Sequence, residues 1–526
     1  MPDETQFDLS DSRVDKLMSL IQNTFRVREN HDPVYVDVGG HPERIEAPQH
    51  VVVFGRRGSG KSCLLVHYHR QAHKHRGVTS LYIQSDEIKI LPYPDLLIRL
   101  LLDILTGVAS AAPWHRRLLR SPRRPIANHI STLRRLLDSA EVQRVTEDSE
   151  ASYKAQVSGD VRLPAGSIGL SEGRGSSLRR SAEFTEDKRD YLERHLSDFK
   201  RDLATALRAT GNTTCMVIVD DFYLVHPSVQ PDVIDYLHRL FRGTAFYLKI
   251  GTVRHRTSLS RHGAQTIGVE LSQDVEELNL DQTFEDVDGT KAYLAQMLDS
   301  LAQKVGIVGL TSKAFNPDGL LDLTLASGGV PRDYLNIFVE AIKFARGQKR
   351  TKWLTPTAIY KGADRVSYRT KLSNLQSDLG TDASPIEKLF ADLVTFCLKE
   401  KKKTAFLISQ EDVTSYSSEH DAIKQLMDFK LIHIVDPHAS AASGRQGRFE
   451  AYTLDFSLFM EPRLRGIEHV EFWKVDEQRR RKGIREAPHY ELKRARGAME
   501  RAAAAATVSV VEQIRLDIGS DPTEPS

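Results

Sequence analysis

Eight consecutive residues have the types and spacing that bind a phosphate group. The run Gly55–Ser62 matches the pattern GxxxxGK[ST] at every fixed position. Glycines let backbone N–H groups turn inward around phosphate oxygens, and the start of a following helix adds a positive dipole. We expect Lys61 to reach the β and γ oxygens of a nucleotide and Ser62 to bind Mg²⁺. The predicted nucleotide-binding residues are Gly55, Arg56, Arg57, Gly58, Ser59, Gly60, Lys61, Ser62 and Cys63.

A second run, Met216–Asp221, is apolar and ends in two carboxylates. We expect Asp220 to hold the water shell of Mg²⁺, and Asp221 to orient or deprotonate an attacking water. The alternative for this run is a buried strand closed by an ordinary turn. The alternative for the first run is a glycine turn that matches the motif by chance.

Alternating strands and helices must position these residues. Helical patterns mostly separate the apolar runs, which predicts a parallel sheet with helices on both faces. The runs that we interpret as buried strands are Val51–Phe54, Leu81–Ile83, Cys215–Val219 and Ala245–Ile250. Before them, Val34–Val38 alternates between apolar and polar residues and predicts another strand. Beyond residue 273 we expect this sheet to gain no further strand.

Shifts in composition divide the chain into five parts. Between Pro385 and Leu454 the order helix, strand, helix, helix, strand, loop, strand predicts a winged helix. The predicted parts are an N-terminal segment (1–46), an ATPase core (47–272) with an insertion (107–194), an all-helical lid (273–380), a winged-helix domain (384–463) and a basic, partly disordered tail (464–526).

Composition excludes several classes of protein. The chain has 526 residues, with 73 Lys and Arg against 71 Asp and Glu, so function cannot depend on bulk charge. Cys63, Cys215 and Cys397 lie far apart and form no ligand pattern, which argues against a disulfide framework or a zinc module. The most apolar stretch, Leu96–Leu105, contains two charged residues. We therefore expect a cytoplasmic protein without a membrane span.

The order of these motifs resembles the origin-recognition and replication-initiator branch of the AAA+ ATPases. The features in common are the phosphate loop, the strand that ends at Asp221, the turn Gly251–Arg254, the run Ser327–Arg332 and a winged helix. The chain is also similar to the STAND signalling ATPases. Origin-recognition proteins usually have Asp-Glu at the end of this strand, whereas this chain has Asp220-Asp221, a pair of aspartates that many STAND proteins share. Both resemblances imply ATP and Mg²⁺, and the shorter second acid favours slow turnover.

The resemblance also implies roles for three further residues. Thr252 occupies the sensor 1 position, and Arg332 resembles sensor 2, which reaches from the lid to the γ-phosphate. Arg261 is nearest the usual place of an arginine finger given by a neighbouring subunit, with Arg254 and Arg256 close by, and such a finger implies a homo-oligomer. The alternatives are a polar residue after a strand and arginines on the surface.

Two regions are candidates for binding DNA. The segment Trp114–Arg135 has seven arginines and no acid, although a solvated helix paired with Glu141–Glu150 is the alternative. The expected recognition helix, Ser418–Phe429, has three acids against Lys424 alone, which phosphates would repel. The wing and Lys401–Lys403 remain candidates for contacts with the DNA backbone.

Three functions therefore compete. The first is an ATP-dependent AAA+ switch that acts on DNA or on a protein client. The second is a STAND-like ATPase of signalling or defence, in which the winged helix restrains the core. The third is a scaffold that binds ATP with little turnover.

Overall fold

We analysed a computed structural model of the chain. It describes residues 8–24, 35–37, 40–74, 77–111, 126–138, 188–263, 266–316, 318–350, 352–366, 368–380, 383–441, 447–460, 466–475, 481 and 483–500.

A five-stranded parallel sheet forms the centre of the core domain, in the order β2-β3-β4-β1-β7. Its strands are β1 (Val51–Phe54), β2 (Val78–Gln84), β3 (Thr214–Asp220), β4 (Phe246–Thr252) and β7 (Glu276–Asn279), and β5 (Ser260–Arg261) and β6 (Ile267–Gly268) form a separate hairpin. The core helices are α2 (His41–Glu46), α3 (Lys61–Lys74), α4 (Asp95–Ala111), α5 (Leu196–Thr210) and α6 (Gln230–Phe241).

Helices cover both faces of the sheet, as the sequence predicts. In β1, Val51 and Val53 pack into one hydrophobic cluster, whereas Val52 and Phe54 pack into another. Successive side chains of a strand point to opposite faces, so a strand buried on both faces must be apolar throughout. This is why β1 reads as a continuous apolar run.

Two strand predictions were wrong. The sheet gains a strand beyond residue 273, because β7 pairs with β1 in parallel register. The sequence of β7, Glu-Glu-Leu-Asn, lacks the apolar pattern of a buried strand, because β7 is an edge strand in which only Leu278 is buried. The predicted strand Val34–Val38 is not supported either, since the described residues 35–37 have no regular structure.

A helical lid domain follows the sheet. It comprises α7 (Val287–Gln303), α8 (Leu310–Ala314), α9 (Gly319–Ser327), α10 (Pro331–Gly347) and α11 (Pro356–Arg365). The N-terminal helix α1 (Ser12–Thr24) buries Val14, Leu17 and Ile21 in the same hydrophobic cluster as α7 and α10. The linker helix α12 (Tyr368–Leu379) then leads to the C-terminal domain.

The C-terminal domain has the element order of a winged helix. A three-stranded antiparallel sheet, in the order β8-β10-β9, packs against the helices. The elements are α13 (Ala383–Val394), β8 (Ala405–Ser409), α14 (Gln410–Ser415), α15 (Ser417–Asp428), β9 (Ile432–Ser440), β10 (Arg448–Leu454) and α16 (Leu492–Glu500). The predicted fold class is confirmed: an α/β core, a helical lid and a winged helix.

Some predictions fall on other parts of the chain. Residues 112–125, which hold most of the basic segment Trp114–Arg135, lie outside the described residues, as do most of the insertion and residues 501–526. Residues 126–138 and 188–194 are helical. None of the helices that the structure describes has the length and apolar character that crossing a bilayer requires.

Candidate nucleotide site

Two glycines with positive φ shape the loop between β1 and α3. Gly58 has a φ of +95° and Gly60 of +102°, values that residues with a side chain rarely adopt. Gly58 also touches the lid: a Cβ added there would lie 2.9 Å from the Cβ of Arg332. The backbone N–H of Arg332 donates to the carbonyl oxygen of Gly58 over 3.2 Å. The loop therefore packs directly against the first turn of α10.

Lys61, the first residue of α3, brings a cation to this loop. Its side chain is buried, and Nζ donates to the carbonyl oxygens of Gly55 at 2.7 Å and Arg56 at 3.3 Å. Burial lowers the pKa of Lys61, and the negative charges of Asp221 and Asp220 oppose that effect. The ammonium group thus bonds to loop carbonyls and lies near two carboxylates.

Ser59 indicates independently that the loop suits a polar ligand. Its hydroxyl is buried and has no hydrogen-bond partner among the described residues, while the residue lines a cavity. The first N–H groups of a helix such as α3 also have no acceptor within the helix. Donors gathered at a helix N-terminus match the oxygens of a phosphate. The loop therefore fits the phosphate groups of a nucleotide.

A cavity of about 800 Å³ lies between the loop, the core and the lid, within the range of small-molecule sites. Its apolar and aromatic wall is formed by Tyr35, Val36, Tyr293, Met297, Leu301 and Leu335. Its polar wall includes Arg57, Gly58, Ser59, Gly60, Lys61, Ser62, Cys63, Asp221, Arg256, Arg332 and Asp378. A cavity with one apolar and one cationic wall can hold a molecule with a ring system and phosphates.

Asp220 lies behind the cavity wall. The side chain is 1% exposed, Tyr82 Oη donates to Oδ2 at 2.7 Å, and the N–H of Asp221 donates to Oδ1 at 2.8 Å. Gly251 makes room for it, because a Cβ there would be 2.4 Å from Oδ1. A role for Asp220 in holding magnesium stays a prediction, and it requires the bond from Tyr82 to yield.

Asp221 presents its carboxylate to the cavity instead. The residue has a left-handed φ of 52° at the end of β3. Burial and the neighbouring Asp220 raise the pKa of Asp221 to about 6, while Lys61, Arg57 and Arg332 act in the opposite direction. A carboxylate with this pKa is ionised at neutral pH and can accept a proton.

The residues present fit a magnesium ion that keeps most of its water. The described residues contain no group of three or more His, Cys, Asp or Glu that could hold a metal by themselves. Ser62 and Asp221 both line the cavity and offer oxygen ligands. Magnesium is usually bound through one or two such groups together with substrate phosphates, so this donor set is sufficient.

Thr252 and Arg261 do not line the cavity, and neither do Gly55, Arg56 and Asp220. Thr252 is fully buried at the end of β4, and its hydroxyl lies 2.5 Å from that of Thr257. Arg261 lies in the hairpin of β5 and β6, where it binds Asp232 at 3.0 Å and the carbonyl of Ser228 at 3.0 Å. The sensor role of Thr252 and the finger role of Arg261 stay predictions.

Arg56 points away from the cavity and joins three domains. Its backbone N–H donates to Asp281 in the core at 2.7 Å, and Nη2 donates to the carbonyl of Gly328 in the lid at 3.3 Å. Nη1 lies 3.4 Å from Nδ1 of His433 in the winged helix. Arg56 is thus a structural bridge from the predicted phosphate loop to the C-terminal domain.

His433 continues this bridge into the winged helix. Burial lowers the pKa of His433 to about 4, so the ring is neutral, and Nε2 lies 2.8 Å from Asp455 Oδ2. Lys371 of α12 binds the same carboxylate at 2.6 Å. Gly328 must be a glycine here, because a Cβ would lie 2.2 Å from the His433 ring.

Lys430 of the winged helix also binds Asp333 of the lid at 2.8 Å. We call these residues the winged-helix junction: Arg56, Asp333, Lys371, Lys430, His433 and Asp455.

The expected recognition helix, α15, is engaged within the chain. Glu419 binds Arg496 of α16 at 2.6 Å, and His420 is buried against Glu450 at 2.8 Å. Asp428 at its end is buried beside the cavity, among residues that include Arg57 and Arg256. The wing residue Arg448 is exposed, and Arg445 lies outside the described residues. In this arrangement α15 packs against α16 and the core.

Sequence reasoning missed three residues of this region: Tyr82, Arg256 as part of its own chain's cavity, and Asp378. Arg256 was only one of three arginines near an expected finger. Asp378 lies in a linker helix with no motif, so no local signal could identify it.

The chain matches no protein-family model and no curated protein. Its structure is similar to that of the ORC1 protein of Aeropyrum pernix in complex with DNA, with 11% sequence identity, 86% of this chain and 92% of that chain covered, and a TM-score of 0.31. It is also similar to Cdc6p from Pyrobaculum aerophilum, with 13% identity, 82% and 94% covered, and a TM-score of 0.31. It is similar as well to Drosophila ORC bound to DNA, with 11% identity, 83% of this chain and 94% of that chain covered, and a TM-score of 0.27.

These matches extend along most of the chain. The identities and TM-scores are too low for a function to be transferred. The function of this chain must therefore be inferred from its own side chains.

Proposed function

We propose that this chain binds ATP with Mg²⁺ in the cavity between core and lid, hydrolyses it slowly, and changes the position of its domains accordingly. The observation that carries the proposal is that Lys61, the lid residue Arg332 and Ser59, whose buried hydroxyl has no partner among the described residues, all line one cavity. Each of these groups donates hydrogen bonds, and two of them are cations. Such a set is complementary to a chain of phosphates.

The same residues suggest how hydrolysis proceeds. Lys61 and Arg332 offset the negative charge that develops on the phosphate oxygens. Asp221 accepts a proton from water while the water oxygen attacks the terminal phosphorus and the bond to the bridging oxygen breaks, which yields ADP and phosphate. Magnesium, when bound, supplies further positive charge to the phosphates.

Contacts of the winged helix favour a restrained switch over a DNA reader. α15 is engaged with α16, and the winged-helix junction joins the phosphate loop to the C-terminal domain through Arg56 and His433. A switch of the STAND type, in which the winged helix restrains the core, is therefore our second candidate. Binding of DNA through Trp114–Arg135 or the winged helix stays a prediction, as does assembly into an oligomer with Arg261 as a finger.

Nucleotide binding by the Lys61→Ala variant tests the first part of the proposal. We expect the affinity for a fluorescent ATP analogue with Mg²⁺ to fall by about 100-fold, because a buried cation is lost from the phosphate site. Lys291→Ala, which removes a half-buried lysine of the lid that does not line the cavity, is the matched control and should bind like the wild type. Absence of binding by the wild type would refute the proposal.

Phosphate release by the Asp221→Asn variant, with and without duplex DNA, separates the competing functions. We expect slow release by the wild type and a fall of about 100-fold or more in the variant, with nucleotide binding retained. Stimulation by DNA would support the origin-recognition reading. A slow rate that DNA leaves unchanged would support the restrained switch, and binding without any release would support the scaffold.

A further inference from the structure

Two arginines share one carboxylate on the cavity wall. Arg57 Nη1 lies 3.4 Å from Oδ1 of Asp378, and Arg256 Nη1 lies 3.0 Å from Oδ2. Arg57 comes from the phosphate loop, Arg256 from the turn after β4, and Asp378 from the last turn of the linker helix α12. All three line the same cavity as Lys61 and Asp221. The cluster therefore joins the nucleotide site to the segment that leads to the winged helix.

This cluster has more positive than negative charge. Two guanidinium groups face one carboxylate, and Arg256 and Asp378 are only 16% and 15% exposed, so water screens them weakly. A second acid, Asp428, lies beside them around a cavity of about 30 Å³. Burial raises the pKa of Asp428 to about 8, so this group is mostly neutral at pH 7 and does not balance the charge. The surplus cation can take an additional anion.

The cluster and the predicted reacting group line one cavity. Arg57, Arg256 and Asp221 all contribute to its wall, so a single ligand in the cavity can contact all three. A guanidinium group binds phosphate oxygens through parallel N–H donors, which gives it a geometric preference for this anion.

We propose that Arg57 and Arg256 bind the terminal phosphate of a nucleoside triphosphate within the same chain, and that Asp378 competes with this phosphate for them. The inference rests on the proposed function, because it requires a nucleotide in the cavity. Arg57 and Arg256 then determine specificity for a triphosphate over a diphosphate. Asp378 is a positioning residue that acts through the two arginines.

The competition has a consequence for the winged helix. The guanidinium of Arg256 lies 4.8 Å from the ring centre of Tyr223 in the core and 5.8 Å from that of Phe429 in the winged helix. A phosphate that draws Arg256 from Asp378 weakens the link between the core and α12, and alters the contact with Phe429. Triphosphate and diphosphate thus set different positions of the C-terminal domain.

Arg254 provides a matched control in the same turn. It binds Glu277 and lies 4.2 Å from the ring centre of Phe54, and it is not among the residues that line the cavity. Its loss removes an arginine from the same turn and leaves the three residues of the cluster in place. Asp288, an exposed acid of α7, serves in the same way for Asp378.

The experiment measures the affinities for ATP and for ADP, each with Mg²⁺, by titration calorimetry on the full chain. In Asp378→Asn we expect ATP to bind about tenfold more tightly and ADP to change less than about twofold, since only the triphosphate competes with Asp378. In Arg256→Ala we expect ATP to bind about tenfold more weakly, with ADP again unchanged. Arg254→Ala and Asp288→Asn should keep the wild-type ratio of the two affinities.

The ratio of ATP to ADP affinity is the readout because a merely structural role would change both affinities together. An unchanged ratio in Asp378→Asn and Arg256→Ala, with both nucleotides bound by the wild type, overturns this inference and leaves the proposed function standing. Failure of the wild type to bind either nucleotide overturns the proposed function itself. If Asp378→Asn does not fold, Arg256→Lys supplies the test. A ratio closer to that of the wild type than the ratio of Arg256→Ala supports direct phosphate binding, and a ratio equal to that of Arg256→Ala overturns it.

Discussion

The phosphate loop and the winged-helix junction both bury charged groups, but their partners lie at different distances along the chain. Lys61 bonds to carbonyls five and six residues before it. In the junction, the contact of Arg56 with His433 spans 377 residues, and that of Lys430 with Asp333 spans 97. The loop is therefore defined locally, whereas the junction exists only after three domains have packed together.

Arg56 and Arg57 illustrate the difference at neighbouring positions. Arg56 is buried in the junction, whereas Arg57 is half exposed at the cavity and binds Asp378. The motif pattern leaves both positions free, so nothing local assigns one arginine to structure and the other to a ligand. A phosphate motif thus specifies where a phosphate binds, while long-range contacts specify what the binding affects.

The substitution Asp455→Asn breaks the junction and should have the largest effect on stability. Asp455 is fully buried and binds both Lys371 and His433, and these partners outweigh burial and lower its pKa. Loss of the charge leaves Lys371 buried without its counter-ion, which should cost about 3–5 kcal/mol of unfolding free energy. Urea unfolding of the full chain, followed by tryptophan fluorescence, measures this loss.

Asp421→Asn is the control for that experiment. Asp421 lies in the same domain but is exposed and forms a surface pair with Lys424, so its loss should change stability by less than about 0.5 kcal/mol. Equal effects of the two substitutions would mean that the junction contributes no more than a surface pair.

Two glycine substitutions in the phosphate loop test whether the lid packs against it. Gly58→Ala and Gly60→Ala both place a side chain at positive φ, which costs about 1–2 kcal/mol in each case. Only Gly58→Ala also brings a Cβ within 2.9 Å of Arg332, whereas a Cβ at Gly60 meets nothing within 4 Å. We expect the first variant to lose more stability and more ATP affinity, as thermal unfolding and calorimetry can measure. Equal losses would show that the lid does not pack on Gly58.

The smallest expected effect is a pH-dependent gain in stability from Asp428→Asn, where the junction borders the cavity. Oδ2 of Asp428 is buried and has no hydrogen-bond partner among the described residues. Burial and the negative charge of Asp281 raise the pKa from 3.8 to about 8, while Arg56, Arg256 and Lys61 act against the rise. The folded chain thus binds this proton more tightly than the unfolded chain, so stability falls as the pH rises from about 4 to 8.

Asparagine cannot ionise, so the variant does not lose stability in this way as the pH rises. The melting temperature of Asp428→Asn should exceed that of the wild type by about 2 °C at pH 8, and by less at pH 5. Asp421→Asn, in the same helix, should show no such trend. A difference that grows towards acidic pH would contradict the raised pKa.

Much of the fold could be predicted because its strands and helices have strong local patterns. The strand Val51–Phe54 was predicted at the residues where the structure has it. β7 was missed because an edge strand buries only one side chain, so its sequence lacks the apolar signal. Tyr82, Arg256 and Asp378 could not be assigned because each acts on a partner that is distant in sequence.

Local sequence patterns were sufficient to predict the phosphate loop and the strands and helices around it. Glycine spacing, a helix start and apolar periodicity are local properties that any packing must accommodate. In contrast, it is the tertiary structure that brings Asp221 rather than Asp220 to the cavity, and Arg56 rather than Arg57 to His433 of the winged helix. These choices depend on contacts between segments far apart in the chain, such as Tyr82 with Asp220 and His433 with Arg56, and no local pattern encodes them.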